Sequence, residues 1–354
     1  MLVIYYLKSQ ESSSLFIERG MLMKKIIVFG ATGYIGAYLV DYLKRNLLEG
    51  YEVIAVGRKN LSFFSDAGIK TVKVDICNDS DFDNLPTNDI YAIINLTGLL
   101  PAYLSAYNPF AYVETNIKGS LRIMEYARKN KVDRMLYTQT WSDQGGYWGV
   151  EKVLSPKMPR KLIYTGDHAF YAITKSMVVD TMEYYKQEYG IKNFVFRLPN
   201  VYLYAPSKSY YVDGKKKLVA YRYMIDQAMQ GHDLEMWGNP NAFKDILYIK
   251  DLCKMMFLSL FANVNGGTYN AGTGVKTTLK QQIQGIIDVF SPNPGRTKII
   301  EIPGGDAFTS FVMDIDNART ELGYEPEYTY IKYLKDYKKE QALKRFDSLF
   351  ANRY

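Results

Sequence analysis

The stretch that decides the fold is "IIVFGATGYIGAYLV", residues Ile26 to Val40. Ile26 to Phe29 read as a short buried strand. Gly30, Gly33 and Gly36 follow at intervals of three, and from Tyr34 to Leu43 the apolar residues return at helical spacing. Strand, glycine-spaced turn and helix in that order make a dinucleotide-binding arrangement. Gly30 permits the tight turn, Gly33 lets the backbone approach a pyrophosphate, and Gly36 lets the helix pack closely on the sheet. The helix N-terminus adds N–H groups and a partial positive charge for the phosphates.

Outward from this stretch, strand and helix alternate. "EVIAV" (Glu52 to Val56), "TVKV" (Thr71 to Val74), "YAIINL" (Tyr91 to Leu96), "RMLYTQT" (Arg134 to Thr140) and "NFVFRL" (Asn193 to Leu198) read as further strands. One helix is expected from about Pro109 to Asn130 and another between the last two strands. This alternation predicts α/β architecture, a Rossmann-type doubly wound parallel sheet covered on both faces. Residues 23–197 are expected to form the NAD(P)-binding domain. Residues 198–354 would be mainly a smaller mixed α/β substrate lobe, with about 245–261 returning to the sheet.

The 354 residues carry a net charge of +7, with 47% hydrophobic and 23% charged residues. That is ordinary for a soluble globular enzyme, and the charge suits an anionic ligand. The short run Lys215 to Lys217 is too little for a nucleic-acid footprint, so no nucleic-acid partner is expected. Cys77 and Cys253 make no metal or redox spacing and read as free thiols of a cytoplasmic protein; no metal is expected. No segment is long and apolar enough to imply a membrane partner. Residues 1–22 lack the pattern of a signal peptide. We expect translation to start at Met23, against the rival reading of a genuine N-terminal arm.

The end of the second strand bears on the cofactor. An acid there would hold the ribose 2′-hydroxyl of NAD, whereas an Arg accommodates the 2′-phosphate of NADP. The chain reads "AVGRK", with Gly57 at the acid's place and Arg58 and Lys59 behind it. This leans to NADP over NAD. Asp75 and Ile76, after the third strand, are candidates to flank the adenine.

"FGATGYIG", "INLTG" (Ile94 to Gly98), "ETNIKGSLRIMEYA" (Glu114 to Ala127), "YAITK" (Tyr171 to Lys175), "FRLPNVY" (Phe196 to Tyr202), "FKDILYIKDL" (Phe243 to Leu252) and "TYNAGTG" (Thr268 to Gly274) occur in this order. The series resembles the extended short-chain dehydrogenase/reductase family, in its NAD(P)-dependent nucleotide-sugar epimerase/dehydratase branch. The resemblance implies catalytic roles for Thr140, Tyr171 and Lys175. It implies a cofactor site of Gly30, Thr32, Gly33, Tyr34, Ile35, Gly36, Leu96, Thr97, Gly98, Asn116, Tyr171, Lys175 and Pro199, to which the strand-end reading adds Arg58, Asp75 and Ile76. It further implies that Thr140, Asn200 and Lys244 touch the substrate, and that the helices near Phe110–Asn130 and Phe170–Tyr189 pair two subunits into a homodimer.

The chemistry accounts for the pair. Tyr-x-x-x-Lys also occurs at Tyr204, Tyr211 and Tyr328, but only Tyr171 lies on the helix between the fifth and sixth strands. Residues four apart share a helix face. A free tyrosine has a pKa near ~10, and lowering it by about three units takes roughly 4 kcal/mol of preference for the phenolate. The Lys175 ammonium and an oxidised nicotinamide, both positive, are expected to supply it. Thr140 would hydrogen-bond the reacting oxygen. His168 and Asp143 are lesser candidates for substrate contact or proton relay, each also readable as an ordinary structural residue.

Within that branch the 4,6-dehydratases carry an Asp-Glu pair after the catalytic Thr. Here Trp141 and Ser142 follow, which disfavours dehydration and leaves a 4-epimerase or a keto-reductase acting on a nucleotide sugar. The resemblance also implies two arginines for the substrate diphosphate. Lys244 stands at one place and Pro303 at the other, so diphosphate recognition is expected to be weaker than in a typical member, or borrowed from Lys208, Arg222 or Lys215–Lys217. Trp141 to Tyr164 would overhang the site or merely pack. The alternative class is a non-catalytic NADP-binding regulator or RNA-associated protein on the same fold, against which the joint presence of Thr140, Tyr171 and Lys175 argues.

Overall fold

The computed structural model describes residues 23–304 and 309–350. The expectation about residues 1–22 lies outside them. The centre is a seven-stranded parallel sheet: β1 (Lys24–Phe29), β2 (Tyr51–Gly57), β3 (Lys70–Lys73), β4 (Ile90–Asn95), β5 (Arg134–Thr140), β6 (Lys192–Leu198) and β7 (Gly266–Asn270). The strand order is β7-β6-β5-β4-β1-β2-β3, and every neighbouring pair is parallel. The chain fills one side of β1 and then crosses to the other, so the order reverses between β1 and β4. Such a reversal opens a crevice at the C-terminal strand ends.

β1 explains why its sequence is a continuous apolar run. Ile26 and Val28 face one core, Ile27 and Phe29 the other, and all four are fully buried. A strand covered on both faces has no polar side to show. One face is covered by α1 (Tyr34–Asn46), against which α5 (Ile249–Phe261) packs. The other carries α2 (Gly119–Lys129) and α3 (His168–Tyr189). The helix expected from Pro109 is continuous into α2 but passes through a π-helical stretch, Val113–Lys118. Such stretches insert a residue and re-aim side chains, often at functional sites.

β7 was not read from the sequence. Gly266 and Gly267 blur it, and its Thr-Tyr-Asn is short. Beyond β6 the chain also forms α4 (Ala220–Met229) and several two-stranded pairs. They include the hairpin Ser209–Val212 with Lys215–Leu218, and the parallel pair Leu234–Trp237 with Ile299–Ile302. Among the described residues no helix is long and apolar enough to cross a membrane.

Candidate active site

A cleft of about 840 Å³ runs over the C-terminal ends of β1, β2, β4, β5 and β6. One end is the glycine turn. Gly30 has φ +80°, and a Cβ there would meet the Leu96 carbonyl carbon at 3.0 Å. A Cβ on Gly36 would fall 2.2 Å from the Gly30 carbonyl oxygen, so α1 can approach the turn only without a side chain. The N-terminus of α1 is capped by Gly33 with no side-chain hydrogen bond and has no acid in its first turn. No side chain therefore caps this helix end at the cleft, an arrangement that suits a pyrophosphate.

Thr32, Tyr34, Ile35, Arg58, Asp75, Ile76, Leu96, Thr97, Gly98 and Pro199 line the same cleft. The loop after β4 is held from behind. Asn95 Oδ1 accepts from the Thr97 N–H at 3.0 Å and the Thr97 hydroxyl at 2.6 Å. Asn116, turned inward by the π-helical stretch and 1% exposed, does not line the cleft. It accepts from the Leu99 N–H at 2.7 Å, and donates to the Leu99 carbonyl at 3.2 Å and the Thr174 hydroxyl at 3.1 Å. These bonds hold the loop after β4 in place from behind.

The other end gathers Thr140, Tyr171, Lys175 and Asn200 on the cleft lining. Thr140 ends β5; Tyr171 and Lys175 share the buried face of α3. Thr140 Oγ1 donates to Ser142 Oγ at 3.1 Å and accepts from the Ser142 N–H at 3.2 Å. The Lys175 Nζ lies 3.9 Å from the centre of the Tyr137 ring. Burial lowers the Lys175 pKa to about 7. The expected depression of Tyr171 is not produced by the protein alone. Burial pushes its phenol well above the ordinary range, with Tyr103 and Tyr112 adding to the effect. An apolar wall disfavours both the ammonium and the phenolate, and among the described residues no hydrogen bond joins the two side chains.

Other expectations meet different geometry. Lys244 does not line the cleft. It sits in the short strand Phe243–Lys244, paired with Thr277–Thr278, where burial lowers its pKa to about 8. Asp143 is 1% exposed and grips Arg197 through two contacts of 2.8 and 3.0 Å. It holds β6 to the segment after β5 and is not on the cleft lining. His168 does line it, with Nδ1 2.7 Å from Asp167 Oδ1. Of the long segment from Trp141 to Tyr164 only Trp141 and Ser142 reach the cleft. Trp141 packs on Trp148 at 4.3 Å and Phe311 at 4.2 Å. Ser142, from the segment expected to overhang the site, lines the cleft without having been named as a site residue, and Tyr103 and Leu349 line it without having been foreseen. A hydroxyl two residues beyond Thr140 was a readable signal for Ser142; Leu349 arrives from the far end of the chain with none.

The sequence profile of the NAD dependent epimerase/dehydratase family matches residues 26–272. The chain belongs to that family. Among curated relatives it resembles a putative UDP-glucose 4-epimerase of Methanocaldococcus jannaschii, 24% identical over 85% of this chain and 93% of the relative. It resembles a dTDP-glucose 4,6-dehydratase of Escherichia coli equally, at 24% over 86% and 89%. The fold matches a UDP-glucose 4-epimerase of Thermotoga maritima solved with UDP-glucose, with TM-score 0.70 and 22% identity over 90% of this chain and 99% of that one. It also matches a UDP-glucuronic acid 4-epimerase of Bacillus cereus solved with NAD, with TM-score 0.65 and 19% identity over 90% and 99%. A putative epimerase and a dehydratase match at the same identity, so these relatives do not separate the two activities for this chain.

Proposed function

We propose that the protein is an NAD(P)-dependent epimerase or keto-reductase of a nucleotide-activated sugar, with Tyr171 as acid/base, Thr140 on the reacting oxygen and Lys175 beside them. The observation that carries this reading is the presence of Thr140, Tyr171 and Lys175 on one cleft with the N-terminus of α1, which Gly33 caps without a side-chain hydrogen bond. A bound nicotinamide dinucleotide supplies hydride chemistry there. The glycine turn would hold its pyrophosphate and Lys175 its nicotinamide ribose. Tyr171, kept neutral by burial, is ready to donate a proton to a sugar carbonyl oxygen. Removing a proton from a sugar hydroxyl requires the phenolate, which needs positive charge nearby.

No Asp-Glu pair follows Thr140, which favours epimerisation or keto-reduction over dehydration. Trp141 and Ser142 occupy those places, and Ser142 is hydrogen-bonded to Thr140. For the cofactor we favour NAD, which the Bacillus cereus neighbour was solved with. Arg58, the basis of the lean to NADP, pairs with Asp75 at 3.6 Å. A 2′-phosphate would meet that carboxylate together with the guanidinium. Asn200 is proposed as a substrate contact, and a homodimer through α2 and α3 as the assembly.

The deciding experiment combines mass spectrometry of nucleotides released on denaturation with proton NMR of UDP-glucose and UDP-glucuronate incubated with the protein. Retained NAD and an epimerised sugar support recycling epimerisation. An exchangeable cofactor oxidised by a 4-keto sugar nucleotide supports keto-reduction. Absence of nucleotide binding together with absence of turnover rejects the proposal.

A further inference from the structure

Residues 345–350 run along α1 toward the glycine turn, although by sequence they fall in the substrate lobe. Tyr34, Tyr38 and Asp41 stand at i, i+4 and i+7 on α1 and so share one face. Each is taken by the returning segment. Phe350 meets the Tyr34 ring edge-on at 4.7 Å, Phe346 packs on Tyr38 at 4.7 Å, and Arg345 Nη1 donates to Asp41 Oδ2 at 2.8 Å. Phe346, Leu349 and Phe350 are all buried. The same segment reaches the loop after β2. Asn60 Nδ2 donates to the Leu349 carbonyl at 3.3 Å, and Phe63 packs on Phe346 at 5.8 Å. Asn60 has φ +57°, a left-handed backbone that Asn tolerates better than most residues. Tyr34, Asn60 and Leu349 line the cleft together.

We infer that residues 345–350 are a clamp on the dinucleotide end of the cleft, fixing the separation of α1 from the β2 loop and so setting how tightly the chain holds the adenosine half of its cofactor. This rests on the reading of the cleft as a nicotinamide dinucleotide site. It goes beyond that reading by giving Phe346, Leu349 and Phe350, none of them in the Rossmann domain, a positioning role at the cofactor. The two elements they join are those that flank the pyrophosphate and the adenosine ribose in a sheet of this order. Arg58, Lys59 and Asn60 are exposed. A loop with so little buried surface of its own takes its position from what packs on it. Rings packed against α1 offer that loop one well-defined seat, because close-packed contacts have discrete arrangements. Arg345 fixes where the segment starts, since its Nε also donates to Glu340 Oε2 at 2.8 Å on the helix Tyr330–Leu343.

The test is calorimetric titration of the full chain with NAD and with ADP-ribose, for wild type, Phe350→Ala and Phe350→Leu, at a temperature well below each protein's melting point. Phe350→Ala is expected to weaken both probes by about 5- to 50-fold and by the same factor. Phe350→Leu refills most of the gap and should lie close to wild type. A purely structural role would lower the melting temperature and leave the affinity of the folded protein unchanged, which overturns the clamp and leaves the wider reading standing. Loss of NAD affinity with ADP-ribose affinity intact also overturns it, and so does a leucine variant as weak as the alanine one. If Phe350→Ala does not fold, Leu349→Ala takes its place with the same expected losses. A wild-type protein that binds neither probe overturns the dinucleotide reading and this inference with it.

Discussion

The Lys175 ammonium nitrogen stands 3.9 Å from the centre of the Tyr137 ring, on a wall where burial brings its pKa down to about 7. The aromatic face compensates only part of the lost hydration. In the unfolded chain the group titrates near ~10.4. Between about pH 7 and 10 the unfolded state therefore holds the extra proton, and folding stability rises with pH across that window. Below pH 7 both states are protonated and the full burial penalty applies. Lys175→Met is expected to stabilise the protein by about 2 to 4 kcal/mol at pH 6, with the gain fading toward pH 10. Urea unfolding at several pH values checks this; a gain independent of pH would show that Lys175 is not held near its neutral form.

Tyr171→Phe keeps the ring and removes the proton. Turnover should fall by about 10²- to 10⁴-fold while dinucleotide affinity stays within a few-fold. Single-turnover kinetics and a binding titration together separate that result from a general disturbance of the site.

Asn116 acts behind the cleft. Asn116→Ala strands the Leu99 N–H and carbonyl and removes a bond to Thr174. The expected loss is about 1 to 3 kcal/mol of stability. Amide hydrogen exchange at Leu99 should accelerate, more than at β1.

Asp143→Ala would leave Arg197 buried at 3% exposure with, among the described residues, only Asn270 Oδ1, at 3.1 Å, as a side-chain partner. Breaking such a pair from one side is expected to destabilise by about 3 to 5 kcal/mol. Melting temperature should drop sharply, and the lost activity should return with recovered fold at lower temperature. Permanent loss of turnover in a well-folded variant would instead mark Asp143 as part of the chemistry.

Gly36→Ala forces a methyl to within 2.2 Å of the Gly30 carbonyl oxygen, a backbone atom that cannot swing aside. The turn and α1 must separate, and dinucleotide affinity should fall by more than about tenfold. Retained affinity would place the pyrophosphate elsewhere.

The sequence by itself determined the parallel sheet and the glycine turn, because both are local. Ile26 to Phe29 can only be a strand buried on two faces, and Gly30 and Gly36 mark where backbone meets backbone. The family resemblance singled out Tyr171 and Lys175 from several equal spacings, because the family carries its pair on the helix between those two strands. Tertiary structure alone decided the rest. It separated Lys244 from the cleft and brought Leu349 into it, although the larger separation in sequence belongs to the residue that joined. It turned Asp143 from a candidate contact into the partner of Arg197. It also set the burial that pushes Tyr171 up and Lys175 down. Charge and ionisation depend on which groups become neighbours and how much water they lose, and neither is fixed until strands and helices far apart in the chain have packed.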